Sequence, residues 1–134
     1  GGGPGGAGAR ILVVDDDADT RDLLTMFLQR EGCTVEAMDG GVSALARISE
    51  RGFDLVLVDL QMPDMGGEDF LRRLRDLPAA VRPASLILTG RTDVPALEAC
   101  RELGAAGAVA KPFELEEMLA SVHHALTKRQ RETR

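Results

Sequence analysis

Short apolar runs alternate with stretches of helical periodicity along most of the chain. Most of the runs are apolar without interruption, as expected for β-strands that are buried on both faces; they are Ile11–Val14, Thr34–Met38, Leu55–Val58, Leu86–Leu88 and Ala108–Ala110. The more polar run Thr34–Met38 is predicted to lie nearer an edge of the sheet. Between the runs, apolar residues recur at helical spacing, among them Leu24 and Phe27, Val42 and Ile48, Phe70 and Leu74, Leu97 and Cys100, and Met118 and Val122.

A strand-then-helix unit therefore occurs five times in succession. Buried strands that alternate with helices predict an α/β domain in which helices cover both faces of a parallel sheet. The crossover connections should be right-handed. Ligands of such sheets bind just outside the carboxyl ends of the strands, so the residues that follow each strand are the first candidates for chemistry.

Reactive side chains stand where four of the predicted strands end. They are Asp15, Asp16 and Asp17 after the first strand, Asp59 after the third, Thr89 after the fourth and Lys111 after the fifth. Carboxylates gathered at one rim repel one another and raise each other's pKa, and a hard divalent cation such as Mg²⁺ relieves that repulsion. A lysine ammonium and a threonine hydroxyl can both bind an anion. Together these groups predict a site at which a carboxylate accepts a phosphoryl group.

Each of these residues also has an ordinary structural interpretation. Asp17 or Asp19 would cap the first helix at its N-terminus. Thr89 would simply follow a strand, and Lys111 would be a solvated lysine before Pro112. Solvated polar residues should scatter along strands and loops, however, and their presence at four strand ends at once favours a functional site.

At these residues the chain resembles the receiver domains of bacterial two-component response regulators, over about Arg10 to Leu126. The matching segments, in order, are Val13–Asp16, Asp59–Gly67, Leu86–Gly90 and Lys111–Phe113. The resemblance implies a flavodoxin-like, doubly wound sheet with five parallel strands in the order 2-1-3-4-5 and five helices. It also implies that the chain is not an enzyme, because its chemistry would be limited to its own Mg²⁺-dependent phosphorylation and dephosphorylation.

The resemblance implies a role for each matching residue. Asp59 would accept the phosphoryl group from a phosphohistidine of a sensor histidine kinase or phosphotransfer protein. Mg²⁺ would be held by Asp59, by Asp16, by the backbone carbonyl of Gln61 and, partly through water, by Asp15. Thr89 and Lys111 would contact the phosphate oxygens.

The same resemblance implies how the signal is passed on. Thr89 would be drawn toward the phosphoryl group, which shifts a balance between two conformations. The changed face would bind a downstream protein or an output domain, or a second copy of the chain through the fourth and fifth helices. The Lys111–Pro112 bond would be cis, and Gly67 would shape the loop beside the site.

Ala108 departs from the family pattern, and two other positions are candidates to modulate the loss of the phosphoryl group. Ala108 stands three residues before the lysine, where relatives usually carry Tyr or Phe, which predicts a smaller or differently routed conformational change. Gln61 and Arg91 occupy positions that, in this family, flank the path of the hydrolytic water. We hypothesise that Arg91 helps to set the lifetime of the phosphoryl group.

Composition narrows the range of partners. A net charge of −6 and a pI near 4.9 lack the basic footprint of a domain that binds nucleic acid, and they fit poorly against an anionic membrane surface. No apolar run approaches the ~18 residues that span a bilayer. Cys33 and Cys100 form no metal or redox motif, which is typical of reduced thiols in a cytoplasmic protein.

Three other functions compete with this interpretation. A phosphatase that forms an aspartyl-phosphate needs a second acid where Gln61 stands. A nucleotide or flavin binder of the same architecture needs a glycine-rich loop after the first strand, where acids stand instead. A pseudo-receiver, acting as a phosphorylation-independent interaction module, is the main alternative: the acids, Thr89 and Lys111 argue against it, and Ala108 argues weakly for it.

The ends of the chain differ in composition from its centre. Residues 1–9 are nearly all Gly, Ala and Pro and are expected to be a disordered tag or linker. Residues 10–128 are assigned to the receiver domain, and residues 129–134 to a basic tail or the start of a linker. A stand-alone regulator and a receiver taken from a longer protein both fit this arrangement.

Overall fold

A computed structural model describes residues 8–90 and 94–132, which form a five-stranded sheet with helices on both faces. The elements, in chain order, are β1 (Arg10–Val14), α1 (Ala18–Arg30), β2 (Thr34–Met38), α2 (Gly41–Glu50), β3 (Leu55–Asp59), α3 (Gly67–Arg75), β4 (Ala84–Thr89), α4 (Val94–Glu102), β5 (Gly107–Ala110) and α5 (Leu115–Glu132). The strands lie in the order β2-β1-β3-β4-β5, and every pairing is parallel. The predicted fold class and strand order are confirmed.

The core consists of two layers, one on each face of the sheet. Successive side chains of a strand point to opposite faces, so Leu12 and Val14 of β1 pack in the layer that α2, α3 and α4 cover. Ile11 and Val13 pack in the layer that α1 and α5 cover. All four side chains are fully buried, which explains why the strand is a continuous apolar run rather than an alternating one.

The buried face of α2 differs from the predicted one. Val42, predicted to line this helix, is 59% exposed, and the buried residues are Gly41, Ala44 and Ile48. These three share one face at helical spacing, and the two small ones let the helix approach its neighbours closely. A Cβ placed on Gly41 would lie only 2.7 Å from Met65 Cγ. Val42 is rotated away from that face by one residue.

The structure describes only part of each end of the chain. Residues 1–7, 91–93 and 133–134, which include most of the expected linker and Arg91, lie outside the described residues. The N–H of Gly8 donates to the carbonyl of Gly32, and the carbonyl of Ala9 accepts from the N–H of Thr34, both at 2.9 Å. Helix α5 continues to Glu132 and includes much of the predicted basic tail.

Within residues 8–90 and 94–132, no helix combines the length and apolarity needed to cross a bilayer.

Candidate functional site

The parallel sheet brings the carboxyl ends of its strands together at one edge. Asp15 follows β1, Asp59 and Thr89 end β3 and β4, and Lys111 follows β5. Backbone hydrogen bonds extend past the strands here: the N–H of Asp15 donates to the carbonyl of Met38 at 3.1 Å, and the N–H of Lys111 to that of Thr89 at 2.8 Å. The sheet therefore fixes the backbone from which each of these side chains projects.

Three carboxylates and one ammonium group form the centre of the site. Asp15, Asp16 and Asp59 each contribute an oxygen that lies within 4.8 Å of the others. Asp15 is fully buried, the side chain of Asp59 is 13% exposed, and Asp16 is exposed. Lys111 Nζ donates to Asp15 Oδ2 at 2.6 Å and to Asp59 Oδ2 at 3.2 Å. One lysine therefore bridges the two inner carboxylates.

Backbone N–H groups hold the second oxygen of each inner carboxylate. Asp15 Oδ1 accepts from the N–H of Asp17 at 2.9 Å, and Asp59 Oδ1 accepts from the N–H of Gln61 at 3.0 Å. With Lys111 on the other oxygen, each side chain is oriented from two sides. The site is therefore largely organised before any ligand binds.

Burial and charge oppose one another in this site. Burial has the largest effect on the pKa of Asp59 and raises it, and the charge of Asp15 raises it further. The N–H of Gln61 and the ammonium of Lys111 lower it. The resulting pKa of Asp59 lies above the ordinary 3.8. Burial acts to lower the pKa of Lys111, but the hydrogen bond to Asp15 and the charges of both carboxylates outweigh burial and raise it. The site therefore favours the charged form of Lys111 and disfavours the ionised form of Asp59.

The donor set fits a hard divalent cation. The clustered ligand atoms of Asp15, Asp16 and Asp59 are all oxygens, which suit Mg²⁺ better than a metal that prefers nitrogen or sulfur ligands. Three carboxylates face one lysine, so negative charge remains in excess. The exposure of Asp16 leaves room for the waters that Mg²⁺ retains. Ligation by the Gln61 carbonyl stays a prediction.

Asp17 caps the first helix and stands apart from the carboxylate cluster. Its backbone is extended, and its Oδ2 accepts from the N–H of Thr20 at 3.2 Å and from the Thr20 hydroxyl at 2.6 Å. The hydrogen bond from the hydroxyl is the main cause of the lowered pKa of Asp17. Asp19, the other candidate for the N-cap, lies in the first turn of α1.

The switch residues named from the sequence have contrasting surroundings. Thr89 is buried and pairs with Ala110 of β5. Ala108, which stands where receiver domains usually carry an aromatic ring, is exposed. The Lys111–Pro112 peptide bond is cis, as the resemblance implied. The hypothesis about Arg91 concerns a residue outside the described part of the chain.

Close packing shapes the loop after Asp59. The N–H of Gly67 donates to the carbonyl of Leu60 at 2.8 Å, and a Cβ on Gly67 would lie 3.1 Å from Leu60 Cα. A residue without a side chain is therefore needed for this approach, in agreement with the role expected of Gly67.

Sequence reasoning missed Asp64, in the same loop. Its carboxylate accepts from the backbone N–H groups of Gly41 and Val42, at 3.0 and 2.9 Å. The available signal was Gly40, which precedes α2 and has no capping side chain, because the first N–H groups of a helix need an acceptor from elsewhere.

A cavity of about 410 Å³ lies at the opposite edge of the sheet, among the ends of α3, α4 and α5. Its lining includes the basic side chains of Arg75, Arg82, Lys128 and Arg129 and none of the clustered carboxylates. The cavity and the carboxylate cluster are therefore separate features of the molecule.

The sequence is similar to that of response regulators along most of its length. The model of the response regulator receiver domain family matches residues 11–123. The DNA-binding response regulator MtrA of Mycobacterium tuberculosis is 40% identical over 113 residues, which cover 84% of this chain and 48% of that protein. The chain thus spans about half the length of this relative.

Solved structures are similar over nearly the whole described chain. The chemotaxis response regulator CheY4 of Vibrio cholerae has a TM-score of 0.83 and 31% identity, with coverage of 90% of this chain and 100% of that one. The beryllofluoride-activated NtrC4 receiver domain dimer has a TM-score of 0.82 and 27% identity, with coverage of 90% and 98%.

Proposed function

This chain belongs to the response regulator receiver domain family, and on that premise we propose that it is a phosphoacceptor for two-component signalling. Asp59 takes a phosphoryl group from the phosphohistidine of a sensor histidine kinase or phosphotransfer protein, with Mg²⁺ bound. The observation that carries the proposal is the position of Lys111, which lies between Asp15 and Asp59 and within 3.2 Å of the second.

In the proposed reaction, a carboxylate oxygen of Asp59 attacks phosphorus in line with the P–N bond. The P–O bond forms as the P–N bond breaks, and the electron pair of the P–N bond stays on the histidine ring, which leaves as neutral imidazole because its other nitrogen is already protonated. Lys111 is close enough to Asp59 to move onto the oxygens of the arriving phosphoryl group. Thr89 donates its hydroxyl to another of these oxygens.

The cation site would be formed by Asp16, Asp59, the Gln61 carbonyl and, partly through water, Asp15. When bound, Mg²⁺ supplies positive charge that stabilises the phosphate oxygens during transfer. Asp59 must be ionised to attack, and its burial, which raises its pKa, opposes that ionisation. Lys111 acts against that effect, because its raised pKa keeps it protonated at neutral pH.

The proposed output is a change in the face that binds a partner. MtrA is a DNA-binding response regulator, so a downstream protein or an output domain beyond this chain is the proposed recipient of the signal, and this domain itself makes no contact with nucleic acid. NtrC4 forms a receiver domain dimer, which supports a homodimer through α4 and α5. We propose that this exchange takes place in the cytoplasm, where the buried thiols of Cys33 and Cys100 stay reduced.

A pseudo-receiver is the second candidate, and Ala108 is the observation that favours it. Because Ala108 has no aromatic ring, burial of a ring at this position cannot link a movement of Thr89 to a change in the surface that binds the partner. Under this alternative the chain binds its partner regardless of phosphorylation.

The experiment that separates these functions is intact mass spectrometry after incubation with Mg²⁺ and phosphoramidate, a small donor with the same P–N bond. We expect a gain of one phosphoryl group that EDTA abolishes. The Asp59→Asn variant should gain nothing, whereas the Asp69→Asn variant, altered at a half-exposed acid of α3, should gain the group as the wild type does. A folded protein that binds Mg²⁺ but gains no mass would contradict the proposal and favour the pseudo-receiver.

A further inference from the structure

A single side chain, Asp64, joins the loop after Asp59 to the N-terminus of α2. Asp64 Oδ1 accepts from the N–H of Gly41 at 3.0 Å, and Oδ2 accepts from the N–H of Val42 at 2.9 Å. The residues lie 23 and 22 positions apart in the chain, so this is a tertiary contact rather than a local turn. The two N–H groups lower the pKa of Asp64, which therefore stays ionised at neutral pH.

Helix α2 has no capping side chain of its own. Its N-cap is Gly40, which makes no side-chain hydrogen bond, and its first turn contains no acidic residue. The first N–H groups of a helix have no partner within the helix, and the positive end of the helix dipole favours a carboxylate. Asp64 supplies from another loop both the acceptors and the charge that this helix end lacks.

Close packing holds the loop and the helix together at the same point. A Cβ on Gly40 would lie 2.9 Å from Asp64 Oδ2, and a Cβ on Gly41 would lie 2.7 Å from Met65 Cγ. Met65 is 8% exposed and belongs to the core layer beneath α2. Glycine at both positions therefore allows the loop to approach the helix as closely as its hydrogen bonds require.

The other end of this loop carries Gln61. Its N–H donates to Asp59 Oδ1 at 3.0 Å, and Gln61 and Gly66 form an isolated antiparallel bridge. The segment between them is thus a small closed loop whose base lies at the carboxylate cluster and whose tip contains Asp64. The hydrogen bonds from Gly41 and Val42 fix that tip to the rest of the domain.

We propose that Asp64 is a positioning residue for the cation site. By fixing the tip of the loop 61–66 to α2, it holds the backbone carbonyl of Gln61 in the orientation that ligation of a divalent cation requires. Asp64 itself touches neither the cation nor the phosphoryl group. The inference rests on the proposed function, because it takes the Gln61 carbonyl as a ligand.

The test compares Asp64→Ala and Asp64→Asn with the wild type. Asp69→Ala is the matched control, because Asp69 is a half-exposed acid near the same loop whose ion pair in the described part of the chain is with Arg73. Mg²⁺ affinity is measured by calorimetry. The phosphorylation rate with phosphoramidate is measured over a range of Mg²⁺ concentrations, and amide hydrogen exchange is followed at Gly41 and Val42.

We expect Asp64→Ala to weaken Mg²⁺ binding about tenfold, as loss of a residue that orients a ligand does. Its rate at saturating Mg²⁺ should stay within about twofold of the wild type, because the chemical groups are intact. Asp64→Asn keeps one acceptor oxygen and should recover most of the affinity. Asp69→Ala should keep Mg²⁺ affinity within about twofold of the wild type and should not slow phosphorylation, because it removes only a screened charge outside the cation site.

Unchanged Mg²⁺ affinity in Asp64→Ala, with faster exchange at Gly41 and Val42, would overturn the inference. A rate that falls at every Mg²⁺ concentration while affinity is unchanged would also overturn it. If Asp64→Ala does not fold, the same criteria apply to Asp64→Ser, whose short, uncharged side chain cannot reproduce the contact of the carboxylate with both Gly41 and Val42. The calorimetry needs no phosphorylation, so a wild type that binds Mg²⁺ but is not phosphorylated contradicts the proposed function and leaves this test in force.

Discussion

Asp15 and Asp59 carry the same side chain and share one lysine, but their surroundings suit them to different tasks. Asp15 is fully buried and receives the shorter contact from Lys111, at 2.6 Å. Asp59 is partly exposed and receives the longer one, at 3.2 Å. A nucleophile must be reached by its substrate, whereas a residue that anchors a cation or a lysine need not be. The geometry therefore favours Asp59 as the phosphoacceptor.

The raised pKa of Asp59 leads to a prediction about stability. Burial disfavours its ionised form, so the folded state loses stability as pH rises through the folded pKa. Asn at this position cannot ionise, and we expect Asp59→Asn to be more stable by about 1 kcal/mol in metal-free buffer at pH 7. The gain should be absent well below pH 3.8, the ordinary pKa of the carboxyl, because Asp59 is then protonated in both the folded and the unfolded state. Urea unfolding at both pH values measures it.

Added Mg²⁺ provides the control for this prediction. A cation that binds the folded wild type raises its stability by mass action, and Asp59→Asn lacks one of the proposed ligands. The advantage of the variant should therefore shrink or reverse in Mg²⁺. A variant that is less stable than the wild type in metal-free buffer would show that the contact with Lys111 outweighs burial.

At the scale of elements, spacing along the chain predicted the strands and helices well, because each is defined by local periodicity. The strand Leu55–Val58 and the strand end at Asp59 needed no tertiary information. Spacing was a poorer guide to which face of a helix is buried. Val42 is apolar but exposed, whereas the smaller Gly41 and Ala44 lie on the buried face of α2.

Local sequence patterns predicted some residues of the site, but contacts between distant segments could not be predicted from them. The four strand ends were predictable, because parallel strands place their carboxyl ends at one edge. The contact of Asp64 with α2 was not, because no local pattern indicates which of many acids will cap a helix 23 residues earlier in the chain. Periodicity also carries no information on distances such as those from Lys111 to its two carboxylates.

The start of α3 provides a matched pair of glycines for a second prediction. A Cβ on Gly67 would lie 3.1 Å from Leu60 Cα, whereas a Cβ on Gly66 would meet nothing within 4 Å. We expect Gly67→Ala to lower the free energy of unfolding by about 2 kcal/mol through overpacking against backbone. Gly66→Ala should change it by less than about 0.5 kcal/mol. Urea unfolding of both variants tests this, and equal effects would contradict it.

At the scale of the whole molecule, the parallel topology separates charge. Helices α1, α3 and α5 all begin near the carboxyl edge of the sheet with acids and end at the opposite edge with bases, as the helix dipole favours; the acids are Asp19, Glu68, Asp69, Glu116 and Glu117, and the bases are Arg30, Arg72, Arg73, Arg75, Arg129 and Arg131. The carboxylate cluster lies at the acidic edge and the basic cavity at the other. The net charge of −6 hides this polarity.

The polarity predicts how salt affects phosphorylation by a small anionic donor. The acidic edge repels such a donor, and salt screens that repulsion over about 10 Å at 0.1 M. At saturating Mg²⁺ and limiting acetyl phosphate, we expect the rate to rise about twofold between 20 and 200 mM salt. Intact mass spectrometry at timed intervals measures the rate.

Charge-neutralising variants test whether the edge itself is responsible. The pair Glu116→Gln and Glu117→Gln should be faster than the wild type at low salt and less sensitive to added salt. The pair Glu50→Gln and Glu102→Gln removes the same charge at the opposite edge and should behave as the wild type does. A rate that falls with salt in every protein would rule out repulsion at this edge.

The contact between Lys111 and Asp15 joins residues 96 positions apart, and this separation has a consequence during synthesis. Asp15, Asp16 and Asp59 are synthesised early in this sequence, but Lys111, which bridges Asp15 and Asp59, follows β5, the last strand of the sheet. A nascent chain that stops before β5 thus carries the proposed acceptor carboxylate of Asp59 without the lysine ammonium that bridges it to Asp15. Under the proposed function, a growing chain can complete this pocket only after β5 and Lys111 have been made.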